Sequence, residues 1–359
     1  MGDADKRLYQ RLYERAIVID MHNDMPTKVL DDGYDPDVRH APGVGRDVGH
    51  TDLPRLVESG ITAVFLVAWV DAVYTHHTPD GSFARASAAV DAVHRFVARH
   101  PDRLLGATTA DDVRRAKASG RIAVFLAVEG GHAIEGSVDC LRAFYERGVR
   151  YLTLTWNNGN AWAGSSIGIE GTRTEGLTAF GREVIGEMNR LGMLVDVSHA
   201  SDATVADVLA TSTAPVIASH SSARALADHP RNLTDAQLRA IADAGGVINV
   251  NFYSRFIDPV YRAAVDAGAT ELPVTPLSVL IDHIDHVATV AGLEHVGLGS
   301  DFDGMSALPE GVPDVTGLPR IADALLARGY AERDVEGILG GNMLRLLDRV
   351  LTIPSRRPM

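Results

Sequence analysis

The chain has one cysteine, Cys140, among 359 residues. No disulfide can form within it, and neither a zinc ribbon nor a CxxC redox pair is available. Taken alone, Cys140 reads as a small buried hydrophobe. Lysine is nearly as scarce, with Lys6, Lys28 and Lys117 the full set. Basic residues number 34 against 47 acidic ones, a net charge of −13. That balance argues against nucleic acid or an anionic membrane surface as a main partner. No uncharged apolar run reaches the ~18 residues of a membrane span. The opening MGDADKRLYQRLYERA is polar and helix-forming, unlike an export signal. The closing LTIPSRRPM lacks the apolar tail of a lipid-anchor signal. The expectation is a cytoplasmic protein with no membrane partner. Phosphate loops are missing too. GVGRDVG at 43–49 misses GxGxxG by one residue, and no GK[ST] occurs.

What is present is a globular composition, 46% hydrophobic and 23% charged, which excludes disorder and collagen. Eight short apolar runs recur: 16–24, 61–70, 122–130, 149–156, 193–200, 215–222, 246–252 and 295–304. Near-continuous runs of this length are the pattern of buried parallel strands. Amphipathic helices are expected at 84–99, 138–147, 174–191, 203–210, 234–244, 276–291 and 335–350. Thr234 and Asp235 read as an N-cap, with Gly245 and Gly246 closing that helix. Eight strand–helix units predict an α/β fold, a single (β/α)8 TIM barrel over residues 1–359. Two irregular stretches, 27–51 after strand one and 157–171 after strand four, would be long loops at the barrel's active face.

The strand ends carry the chemistry. Strand one ends in Asp20-Met21-His22-Asn23-Asp24, and alternation puts His22 and Asp24 on one side. Alone, that pair is half a metal site or a hydrogen-bonded polar pair. Strand three ends in Glu129-Gly130-Gly131-His132. Its glutamate is costly to bury unless ionically satisfied. Strands five and six end alike, in Ser198-His199 and Ser219-His220, and strand eight adds Asp301. On a barrel all six residues converge on one rim. Nitrogen and oxygen ligands of this kind suit zinc or another first-row metal. Two sets sharing one carboxylate would hold two metals ~3.5–4 Å apart. Asp20 shares a face with His22 and is expected to orient it.

The segments IDMHNDMP, AVEGGHAI, RYLTLTW, VDVSHAS, IASHSSARAL, HPRNLTD and GLGSDFDG, in order from residue 17 to 304, resemble the membrane (renal) dipeptidases. These are dinuclear zinc peptidases of the amidohydrolase-barrel type. The resemblance implies two Zn2+ per chain, with His22 and Asp24 on one, His199 and His220 on the other, and Glu129 bridging. Many superfamily relatives bridge with a carboxylated lysine; here no lysine lies beyond Lys117. The resemblance further implies Asp301 as the catalytic acid/base beside a metal-bridging hydroxide, and Arg231 as the partner of a dipeptide's terminal carboxylate. A guanidinium matches a carboxylate bidentately; without the family, Arg231 reads as a surface arginine. Tolerance of a C-terminal D-residue and a homodimer are also implied. The sequence departs from the family at the end of strand four. Trp156 stands where the family has a histidine, followed by Asn157 and Asn158. Trp156 and Asn157 are therefore expected to bind substrate, and an N-acyl amino acid is the alternative to a dipeptide. Gly164-Ser165-Ser166-Ile167-Gly168 matches GxSxG but lies in no strand–turn–helix elbow. His76-His77 reads as a solvated loop, and His283 and His286 as a solvated helix face beside Asp282. Trp69 and Trp162 are candidates for the pocket or the core.

Overall fold

The computed structural model describes residues 3–76, 81–169 and 175–351. His77, the first residue of the helix expected at 174–191, the end of the 157–171 loop and the segment after Leu351 lie outside the described residues. Eight parallel strands form a closed barrel: β1 (Ile19–Asn23), β2 (Ala63–Trp69), β3 (Ile122–Glu129), β4 (Val149–Thr153), β5 (Leu194–Asp196), β6 (Ile217–Ala218), β7 (Val247–Val250) and β8 (Val296–Leu298). Each pairs with the next, and β1 also pairs with β8. All eight expected runs are barrel strands. A further strand, Leu104–Gly106, flanks the start of β3. At three residues it is too short to show a period.

Strand parity divides the core in two. Ala63, Phe65 and Val67 of β2 join Ala123, Phe125 and Ala127 of β3, with Tyr151, Leu194, Ile217 and Val247, in one buried cluster. Phe65 stacks on Phe125 at 4.5 Å between ring centres. The intervening Val64, Leu66, Ala68, Val124, Leu126 and Val128 pack in the other cluster with the surrounding helices. The row Ala123, Phe125, Ala127 continues to Glu129, so the same alternation that fills the barrel delivers a carboxylate to its rim.

Most expected helices are present, among them Ser82–Arg99, Val138–Glu146, Ala179–Leu191, Asp202–Thr211, Asp235–Asp243 and Leu277–Ala291. Thr234 and Gln237 form a reciprocal capping box. Three expectations need correction. The helix expected over 335–350 is interrupted at 337–341. A Cβ at Gly340 would lie 2.6 Å from the Ile17 carbonyl oxygen, so close packing against the lead-in to β1 decides the break. The helix near 174–191 starts at Ala179 behind the Thr178 cap. The stretch after β1 opens with a helix, Met25–Asp31, and is irregular only beyond it. Among the described residues, no helix is long and apolar enough to cross a membrane.

One buried ion network ties that irregular stretch to the barrel. Arg55 is 1% exposed. It donates to Asp52 at 2.7 Å, the Gly49 carbonyl at 2.8 Å, Asp314 at 3.0 Å and the Tyr34 hydroxyl at 3.2 Å. Removing the cation strands two buried carboxylates. Arg55→Met is expected to lower stability by about 3–5 kcal/mol, read as a lower urea midpoint. An unchanged midpoint would show that the network holds nothing in place.

Candidate metal centre

The six rim residues come together as expected. The Nε2 atom of His22 lies 3.5 Å from Asp24 Oδ2 and 3.4 Å from Glu129 Oε2. Glu129 Oε1 faces the other way, 2.8 Å from His199 Nε2 and 3.5 Å from His220 Nε2. The donor atoms of His22, Asp24 and Glu129 fall within 4.8 Å of one another, as do those of Glu129, His199 and His220, and those of His22, His220 and Asp301. All six residues are buried. His22 Nε2, Asp24 Oδ1 and Glu129 Oε1 have no hydrogen-bond partner. Unpartnered buried polar atoms are costly. Several of them, converging as imidazole nitrogens and carboxylate oxygens, fit first-row metal ions.

Each imidazole is held from behind. Tyr151 Oη sits 2.8 Å from His22 Nδ1, Asn157 Oδ1 3.1 Å from His199 Nδ1, and Ser219 Oγ 2.7 Å from His220 Nδ1. Ser219 in turn donates to Asp196 at 2.6 Å. With Nδ1 spoken for, all three Nε2 atoms face the centre, the outer-shell arrangement of metal-binding histidines. Asp20 holds the His22 backbone, not its ring: it accepts from the His22 amide at 3.4 Å, and from the Ser300 amide at 2.8 Å and hydroxyl at 2.6 Å, so it also fastens the end of β8 to β1.

The charges follow from this packing. Burial opposes the Glu129 carboxylate, yet His22 and His199 hold it well below the usual carboxylate range. Burial also opposes a charged His22, but Glu129 and Asp24 hold that imidazole well above its ordinary value. His199 is pushed down to about 4 by burial and then by Arg231. His220 is also pushed well down, by burial and then by His22. Asp301 is pushed up to about 7, by burial first and then, against the pull of His22, by Asp24 and Glu129.

Backbone geometry is bent to the site. His199 and Asp301 adopt φ of 66° and 63°, conformations that L-residues hold only when their surroundings compel it. At Gly304 a Cβ would sit 2.2 Å from Asp24 Oδ2 and 2.6 Å from Asp301 Oδ1. Only glycine fits there.

Above the centre opens a cavity of about 250 Å³, lined by the rim carboxylates with Trp69, Trp156, Asn157, Tyr253 and Phe256. That is the small end for a ligand pocket. Trp156 meets Trp69 edge-on at 5.0 Å between ring centres. Arg231 is 3% exposed, so it is no surface arginine. Its Nη2 reaches the His220 carbonyl at 3.3 Å, its guanidinium lies 5.4 Å from the centre of the Phe256 ring, and its Nε has no partner.

The remaining candidates fall elsewhere. Trp162 is core. His283 links the Ala223 amide to the Ile257 carbonyl, and His286 pairs with Asp235, so neither faces a metal with Asp282. Ser166 sits on the loop after β4, with its hydroxyl unpartnered. Sequence reasoning missed Tyr151, Ser219 and Asp196 as supports, and Asn251, which donates to Asp301 Oδ2 at 2.9 Å. A polar residue interrupting an apolar strand was the available signal for Tyr151 and Asn251.

Comparison with known proteins places the whole chain. A dipeptidase described as AC, a metallopeptidase, is 30% identical, with 93% of this chain and 98% of that one covered and a TM-score of 0.79. A metallopeptidase from Rhodobacter sphaeroides, solved with a phosphinate mimic of L-Ala-D-Ala, is 29% identical, with 94% and 100% covered and a TM-score of 0.78. The probable dipeptidase PvdM from Pseudomonas aeruginosa shares the fold, at 23% identity, 98% and 99% coverage and a TM-score of 0.85. The membrane dipeptidase model, peptidase family M19, matches residues 6–358. With that match over almost its whole length, the chain belongs to the membrane dipeptidase family and is a metal-dependent hydrolase of peptide bonds.

Proposed function

We propose that the chain, working as one barrel domain, is a dinuclear zinc dipeptidase that accepts a D-residue at the C-terminal position. The observation that carries this is the split carboxylate of Glu129, with Oε2 toward His22 and Oε1 toward His199 and His220. His22 and Asp24 would hold one zinc, His199 and His220 the other, and Glu129 both. The relative solved with a mimic of L-Ala-D-Ala supports the substrate and its stereochemistry. When bound, the metals supply water acidified to near neutrality and a Lewis acid for the scissile carbonyl.

The chain's own residues do the rest. Asn251 occupies Asp301 Oδ2, leaving Oδ1 to take the proton of the attacking water. The same oxygen then gives it to the nitrogen of the breaking peptide bond, so the products are one free carboxylate and one free amine. Arg231 receives the substrate's terminal carboxylate, its unpartnered Nε being the donor that such a group would satisfy. A fixed cation held next to a metal-site histidine, as Arg231 is by the His220 carbonyl, would limit the reach to two residues. The paired indoles of Trp69 and Trp156 favour a second substrate class, N-acyl amino acids, whose acyl group needs an apolar wall.

Three outcomes test this reading. Asp301→Asn is expected to keep its zinc and lose about 10²–10⁴-fold in kcat; full zinc with full activity would remove Asp301 from the mechanism. Arg231→Met should raise KM for L,L and L,D dipeptides, by about 10–100-fold for a lost charge-assisted pair of roughly 1.5–3 kcal/mol. Dipeptide amides should be indifferent to the change, and N-acyl amino acids outperforming every dipeptide would select the second class. Zinc loading should reach two per chain and release protons. At pH 7 the metal-free His22 carries a proton that a ligating Nε2 must lose. Affinity should therefore weaken as pH falls, and calorimetry in buffers of different ionisation enthalpy should count the protons. Proton-free loading would place the metal away from His22.

A further inference from the structure

We propose that Tyr151 is a positioning residue for one of the two metal positions alone, that of His22 and Asp24. The inference rests on the ligand assignment above. The phenol has one proton, and the Met21 carbonyl oxygen, 2.9 Å away, can only accept it. Toward His22 Nδ1, at 2.8 Å, the phenol oxygen must therefore accept. That fixes the tautomer His22 adopts when it ligates: Nδ1 keeps its hydrogen and Nε2, on the side of Asp24 and Glu129, is the nitrogen left for the metal. The Met21 carbonyl belongs to the residue before His22, so one hydroxyl holds both the backbone and the ring of the same ligand.

The other position has different supports. His199 rests on the Asn157 amide and His220 on Ser219, backed by Asp196. Tyr151 is hydrogen-bonded to neither ring. Its own ring packs on Phe65 at 5.4 Å between centres, so phenylalanine preserves the packing and deletes only the hydroxyl. The phenol also neighbours the Ser219 hydroxyl, but its one proton goes to Met21 and the serine's goes to Asp196, so neither can donate to the other and the two metal positions stay separately adjustable, one through a phenol in the barrel core and the other through a serine–aspartate relay and a pocket-wall amide.

The test is stepwise zinc binding measured against a competing chelator. Tyr151→Phe should weaken one of two steps by about 10–100-fold, the usual cost of an outer-shell partner, and leave the other unchanged. The weakened step should be the one that Asp24→Ala abolishes. Ser219→Ala should weaken the complementary step. Equal weakening of both steps by Tyr151→Phe, or of neither, overturns the proposal. Should the phenylalanine variant not fold, nitrogen-labelled histidine NMR of the zinc-loaded wild type decides. His22 must appear as the Nδ1–H tautomer, and an Nε2–H signal ends the proposal. A wild type that takes a single zinc would sink the dinuclear reading instead. The proposal would then stand if Tyr151→Phe weakened that zinc, and fall if its affinity did not change.

Discussion

Glu129 is 3% exposed at the end of an apolar strand. An ionised carboxylate in such a place costs several kcal/mol unless positive charge surrounds it. The barrel turns three imidazoles from other strands onto it, and of these His22 is the one held in its charged form. His22 arrives from the end of β1, His199 from beyond β5 and His220 from beyond β6, each directing Nε2 at one or the other oxygen. The mutual satisfaction is incomplete, since Glu129 Oε1 and His22 Nε2 still lack hydrogen bonds. A protein that keeps such atoms buried and unpartnered holds a place for something cationic.

The rest of the upper barrel serves that arrangement. His199 and Asp301 sit in left-handed backbone, and the glycine at 304 lets a neighbouring segment pass over two carboxylates. The loop after β4 is stitched down beside the ligand it supports. Asn157 holds His199 Nδ1, the Ser166 amide donates to the His199 carbonyl at 2.8 Å, and Ser165 bridges to Ala200. Conformational strain at the ligands is thereby balanced by hydrogen bonds from the loop. The apolar lower half, where Phe65, Phe125 and Tyr151 stack, is the rigid base that makes the strain tolerable.

The cavity wall is a separate layer laid over the metal-binding rim. Phe256, with the Arg231 guanidinium against its ring, and the indoles of Trp69 and Trp156 belong to the cavity wall and its backing. Tryptophan cannot ionise or accept a hydrogen bond.

The sequence by itself determined the barrel and its rim. Eight apolar runs, each long enough to be buried on both faces, left few architectures open. The recurrence of His22, Asp24, Glu129, His199, His220 and Asp301 at strand ends placed the chemistry, because parity along a strand is a local property. Only the tertiary structure decided what stands behind those residues. Tyr151 meets His22, 129 residues earlier in the chain, and Asp196 reaches His220 only through Ser219. Asp20 shares a face with His22 yet spends its carboxylate on Ser300, 280 residues away, and on the His22 backbone, not its ring. Such pairings depend on how adjacent strands are staggered around the barrel, and stagger is set by the packing of the whole closed sheet, which no local pattern of residues encodes.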